Sequence, residues 1–262
     1  MPMRHHLFLL KELVRRDFQG RYAGSVLGFV WSFMQPLWQL LLFTFVFSTV
    51  MQIAPTGIGG VGRSGGFAVF LFCGLLPWMA LHEGVLRAST AITDNASLVK
   101  KLRFPAEVLV LAVVLAALLH EAIAAVIFLG VLAAVGKLSW GGLPLLAVAL
   151  PLQLAITLGL GLLLGAVHVF FRDTAQLLGM VFMGWFYLTP IVYPLTLVPE
   201  PQRHWIELNP LTALVGLYRQ AFLAGEVAAV PGTGALALAA AVLLFAGFLL
   251  FRSLKPTFVD EI

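Results

Sequence analysis

The sequence predicts an all-α protein that passes several times through a membrane. Three observations carry this. Of 262 residues, 61% are hydrophobic and only 11% charged, against about 25% charged in a soluble domain, so lipid must be the solvent for most of the chain. The apolar runs are long and do not alternate, which favours helices over a transmembrane barrel. The basic residues collect in alternate polar stretches, a pattern that orients a chain in a bilayer and does not resemble a nucleic-acid footprint. A single cysteine, Cys73, excludes an internal disulfide framework.

Residues 1–25 read as an interfacial amphipathic helix. In LFLLKELVRRDF, Leu7, Leu10, Val14 and Phe18 recur at three- and four-residue spacing, with Lys11, Arg15 and Arg16 off the centre of that stripe, as in a helix lying flat on a leaflet. The opening MPMRHHLFLLKELVRR lacks the apolar length and cleavage site of a signal peptide. Residues 26–53 form the first expected span, with Pro36 as a kink inside it. The glycine-rich linker APTGIGGVGRSGG leads to the second span, 67–90. In the following TDNASLVKKLRFPAE, Asp94 and Asn95 are suited to cap a short basic helix within 94–105. Joined rigidly to two spans, that helix is a natural handle for another protein. The third, fourth and fifth spans are expected at 108–135, 143–170 and 177–193. Three prolines in LTPIVYPLTLVP then break the chain. WIELNPLTALVGLYRQAFL resumes an apolar pattern too short and mixed to cross twice, which predicts short half-inserted helices within 194–222. The sixth span is expected at 235–251.

Six spans leave both ends on one side. That side would carry Arg4, Lys11, Arg15, Arg16, Arg21, Lys100, Lys101, Arg103, Arg172, Arg252 and Lys255; the other would carry Arg63, Lys137, Arg203 and Arg219. The excess places both termini in the cytoplasm.

Enzyme motifs fail on spacing. GVLAAVGKL, from Gly130 to Leu138, has five residues between its glycines where a phosphate loop has four, and a leucine where magnesium needs a hydroxyl. HEGVL at His82 and HEAIA at His120 lack the second histidine one helical turn on, so neither holds zinc. GRSG, with Ser64, resembles the nucleophile motif of rhomboid intramembrane proteases, with His120 and His168 as possible bases. A flexible glycine-rich loop is a poor seat for a nucleophile, and His168 falls near the other end of its span. The Asn95–Ser97 triplet fits a glycosylation sequon but lies on the predicted cytoplasmic side. No catalytic residue and no metal site is expected.

Polar groups inside the spans carry more. At 100° per residue Gly28, Ser32, Gln35 and Gln39 fall within about 60° of one another, flanked by Trp31 and Trp38. Such a stripe belongs against another helix or along a water-filled path. Glu83 and Arg87 stand four apart in the order that favours a pair, as a structural ion pair or as groups lining a path. His120 and Glu121 sit nearer the middle of the third span, where a helix contact or an interface between copies is expected.

Taken in order, RDFQGRYAGSVLGFVWSFMQPL, NASLVKKLRFPAEVLVL, FFRDT, LTPIVYP and LNPLTALVGLYRQAF resemble the permease subunit of type-2 polysaccharide ABC exporters, the family that moves O-antigen, capsule or teichoic acid. The resemblance covers nearly the whole chain. It implies a homodimer in the bacterial inner membrane working with two copies of a cytoplasmic ATPase. That partner would bind ATP and magnesium, and this chain would bind no cofactor. It also implies a lipid-linked glycan as substrate, threaded between the two subunits. Residues 94–105 then correspond to the coupling helix, with Asp94, Asn95, Ser97, Lys100, Lys101 and Arg103 docking the ATPase. Residues 194–222 correspond to periplasmic gate helices, with Pro194, Trp205, Asn209, Pro210, Tyr218 and Arg219. Aromatic rings offer platforms for sugar faces and amides exchange hydrogen bonds with hydroxyls. The expected conduit lining is therefore Trp31, Gln35, Trp38, Gln39, Trp185, Tyr187 and Tyr193. An ABC permease of the same fold moving a drug, lipid or ion is the alternative, and an intramembrane serine protease a remote one.

Overall fold

The computed structural model describes residues 3–20, 25, 27–50, 66–101, 105–138, 140–223 and 229–262. Every regular element among them is helical. The order is α1 (Met3–Gly20), α2 (Trp31–Phe43, continued as π-helical turns over Thr44–Val50), α3 (Gly66–Asp94), α4 (Ala96–Lys101), α5 (Glu107–Ala134), α6 (Leu146–Phe170), α7 (Thr174–Leu188), α8 (Glu200–Glu207), α9 (Pro210–Leu223), α10 (Thr233–Leu254) and α11 (Phe258–Glu261).

Among the described residues, four stretches are long and apolar enough to cross a membrane: Gly66–Asp94, Glu107–Ala134, Leu143–Phe170 and Thr233–Glu261. This defines a multi-pass membrane protein. The other two expected spans are shorter apolar helices, Phe33–Val46 and Thr174–Leu188. At 1.5 Å per residue the 15 residues of α7 reach about 22 Å, short of a hydrocarbon core about 30 Å thick. Its C-terminus is set by Thr189-Pro190, since proline has no amide proton to continue the ladder. Pro36 lies within α2 and is buried, and the helix continues through it.

α3 is the hub, packing on α5, α6, α7 and α9. Its burial explains the even spread of apolar residues around it, because a helix covered on all sides needs no polar face. α10, α7 and α2 carry the outward surface, where Phe245, Met180, Met183 and Trp38 are exposed. In a membrane protein such surface is the lipid-facing and partner-facing side.

Small residues set the closest crossings. An added Cβ on Gly159 of α6 would lie 2.6 Å from the backbone of Leu243 and Leu244 in α10, where Gly247 faces Gly159. On the other side of α6, Gly161 and Gly165 meet Ala88 of α3, and Gly84 of α3 meets Thr157 of α6. Close backbone approach of this kind substitutes for the hydrophobic drive that lipid removes.

α1 and α4 gather at one end of the bundle, with the α10–α11 corner. α1 packs on α5 with its half-buried stripe Leu10, Leu13, Val14 and Phe18, while Lys11, Arg15 and Arg16 stay exposed. Lys255 donates to Glu107 at 2.7 Å, tying the tail to the start of α5. At the other end α8 and α9 follow the proline-rich turn, and α9 inserts against α3, α6 and α10.

Candidate functional site

Among the described residues, polar assemblies interrupt the apolar bundle at several places. The first is buried at its centre. Gln153 of α6 donates through Nε2 to Glu121 Oε2 of α5 at 2.6 Å and to the Pro77 carbonyl of α3 at 3.3 Å, while its Oε1 accepts from the Tyr218 hydroxyl of α9 at 2.5 Å. Gln153 is fully buried, Tyr218 is 1% exposed and Glu121 is 4% exposed. One amide thus joins four helices. Sequence reasoning singled out Glu121 and Tyr218 but missed Gln153. A glutamine in the middle of an otherwise apolar run was the available signal.

The second assembly is a groove of about 470 Å³ between α2, α3 and α5. Gln35 and Gln39 line it from α2, Glu83 and Arg87 from α3, His120 and Glu121 from α5, with Phe72, Leu75, Leu76 and Met79 as apolar wall. Gln35 and Gln39 therefore face a groove within one chain. Trp31 and Trp38 are not part of that lining and are exposed, Trp31 donating from Nε1 to Ser25 Oγ at 2.9 Å.

The third lies where α1 meets α3 and α4. Arg87 sits 3.6 Å from Glu83, the pair read from sequence, but its closer partner is Asp17 of α1, at 2.9 and 2.5 Å in a two-pronged contact. Arg16 donates to Asn95 Oδ1 at 2.9 Å, and Asn95 Nδ2 donates to the Ala91 carbonyl. Asn95 accordingly caps by its backbone, accepting from Leu98 and Val99, and spends its side chain on α1 and α3. Asp94 ends α3, and its carboxylate accepts from Thr90 Oγ1 at 2.7 Å. Ser97 and Lys100 are exposed on α4. Lys101 is its last residue, and Arg103 lies outside the described residues. Ser64 also lies outside them. Buried His168 of α6 has no partner at Nδ1.

At the α8–α9 end the conduit and gate residues separate into distinct roles. Trp185 is half-buried against Trp78 and Phe182 and donates to Asn209 Oδ1 at 3.0 Å. Asn209 also accepts from the Leu211 amide and donates to Thr189 Oγ1, which fixes the start of α9 at Pro210. Trp185, Trp205, Asn209 and Pro210 line a shallow groove of about 380 Å³. Arg219 donates to the carbonyls of Pro190 and Ile191, each at 2.7 Å, and lies 3.5 Å over the Phe70 ring. It clamps the turn after Pro190 onto α3. Tyr193 donates to the Tyr187 carbonyl at 2.9 Å, and the Tyr187 ring is exposed. Pro194 is half-buried at the same turn. The structure does not gather these residues with Gln35 and Gln39 in one lining.

A bundle of apolar helices with a docked surface helix, a short corner helix and inserted turns at the far end has the make-up of a transport subunit. Residues 9–223 match the ABC-2 type transporter family, and the chain belongs to it. It is 33% identical over 97% of its length to the O-antigen export system permease protein RfbA of Myxococcus xanthus, covering 95% of that protein. It is 30% identical over 84% of its length to a protein of the same name from Klebsiella pneumoniae, covering 82% of it. The polysialic acid transport protein KpsM of Escherichia coli is 24% identical over 93% of this chain and 92% of its own length.

Proposed function

We propose that the chain is the membrane subunit of an ATP-driven exporter that moves a lipid-linked polysaccharide, O-antigen in the first instance and capsule or teichoic acid otherwise, across the bacterial inner membrane. The observation that carries this is near full-length similarity to O-antigen export permeases. Six segments cross the bilayer, the two shortest being α2 with its π-helical turns and α7 with the turn that follows it, and both termini lie in the cytoplasm. Two copies meet and leave a conduit between them. The partly exposed rings of Trp31, Trp38 and Tyr187 support that seam, because large aromatics at the surface suit a partner helix or a sugar face.

The energy comes from two copies of a separate ATPase, which binds ATP and magnesium. Its dimerisation biases the permease between closed and open states. The exposed Ser97 and Lys100 on α4, with Lys101 and Arg103, form the docking face. α8 and α9 gate the periplasmic exit. Vesicles holding permease and ATPase test the proposal: they should move radiolabelled lipid-linked glycan only with ATP. No movement beside a working positive control overturns it. ATPase stimulation by a small drug or lipid with no glycan requirement would favour the other substrate class of the same fold. Charge reversal at Lys100, Lys101 and Arg103 should abolish ATP-driven export while leaving dimer yield unchanged. Normal export by that triple variant removes the docking assignment.

A further inference from the structure

The groove between α2, α3 and α5 combines three properties within a single chain. One wall is apolar, from Phe72, Leu75, Leu76 and Met79 of α3. Its polar groups are the amides of Gln35 and Gln39, the carboxyl groups of Glu83 and Glu121 and the His120 imidazole, and its arginine is already held by Asp17 and Glu83. At its inner side Glu121 Oε1 has no hydrogen-bond partner, although Glu121 is 4% exposed and its Oε2 is fixed by Gln153. A buried acceptor left without a donor is costly, so such an atom points to a donor brought by something else.

We infer that this groove is a subsite for one neutral, hydroxyl-rich unit, a pyranose ring, held within one protomer and apart from the conduit between copies. The ligand class rests on the export reading; the geometry stands without it. A hydroxyl donates to a carboxylate oxygen and both donates to and accepts from an amide, so it serves Glu121, Gln35 and Gln39 together. The CH face of the ring suits the apolar wall. An anionic group meets the Glu83 carboxylate and an arginine that is already paired. A purely apolar chain leaves the amides and Oε1 without partners. The volume of about 470 Å³ falls in the range of roughly 300–1,000 Å³ typical of small-molecule sites.

The test uses the chain's lone thiol. Cys73 is fully buried, while Met79 is 50% exposed on the groove wall. In the full-length M79C permease in lipid nanodiscs, a water-soluble cationic thiol reagent labels the new cysteine with and without methyl glucoside, mannoside, rhamnoside or N-acetylglucosaminide. Glycerol 1-phosphate serves as the anionic comparison. W140C, at an exposed position outside the groove, reports non-specific effects. At least one glycoside should slow M79C labelling threefold or more, leave W140C unchanged, and lose that protection when Gln35→Leu is added. Five results overturn the subsite: an M79C thiol that never labels, no protection by any glycoside, equal slowing at W140C, better protection by glycerol 1-phosphate, or protection that survives Q35L. Export is read separately with the ATPase. Export without glycoside protection sinks the subsite alone; protection in a protein that moves no glycan sinks the export reading alone.

Discussion

Gln153 uses its whole amide across helix boundaries, with one oxygen taken by Tyr218 and one nitrogen shared between Glu121 and Pro77. Tyr218→Phe removes one donor and should cost about 1 kcal/mol, near the upper range for hydrogen bonds between membrane helices. Gln153→Leu leaves both the Glu121 carboxyl and the Tyr218 hydroxyl unserved, and should cost roughly 3 kcal/mol. Thermal unfolding midpoints in detergent measure both. A double variant as damaged as the sum of the two would show that the residues do not act together. At this scale, sequence spacing found the Glu83–Arg87 pair because both sit on one helix, four apart. It did not find Asp17 for Arg87, 70 residues away, or Gln153 for Tyr218, 65 away. A local period carries no record of which distant helix comes alongside.

Helix extents were far more legible than helix partners. Unbroken hydrophobicity placed α5 within a residue of its observed bounds, Glu107 and Ala134, because lipid rewards continuous apolar length and the flanking Pro105 and Gly136 stop it. α3 runs on to Asp94, past the expected end at 90, since Thr90 and Asp94 bond each other along the helix and need no turn. The crossing of α6 and α10 was not foreseen, although glycines sit at both contact points. There Gly159→Ala forces a methyl to 2.6 Å from the Leu243 backbone, which has no flexible side chain to move away. Overpacking of this kind costs typically 1–3 kcal/mol. Gly130→Ala on α5 meets nothing within 4 Å and serves as the control. The expected result is a lower unfolding midpoint and poorer yield for G159A, with G130A unchanged or slightly raised by its better helix propensity. Equal behaviour of the two would mean that α6 and α10 are not held by this contact.

Across the whole molecule, the bonds that hold α1 decide how a push at one end reaches the groove. Asp17 grips Arg87, Arg87 touches Glu83, and Arg87 and Glu83 both line the groove, while Arg16 holds Asn95 at the base of α4. Under the proposed function, a displacement of α4 by the ATPase would bear on α1 through Asn95 and on the groove through Asp17. These pairs are partly exposed, so their share of fold stability is small, about 1 kcal/mol or less each. Their value lies in geometry. Asp17→Arg should leave the yield of folded protein near normal but lower the proposed ATP-driven glycan export tenfold or more, with basal ATPase activity retained. The charge-swapped double variant Asp17→Arg with Arg87→Asp should recover at least half of the lost export, because the attraction is restored in reverse. Export and ATP turnover measured in the same vesicles separate coupling from assembly. If the swap fails to recover export while each protein assembles normally, Arg87 acts in the groove by itself and α1 transmits nothing through it.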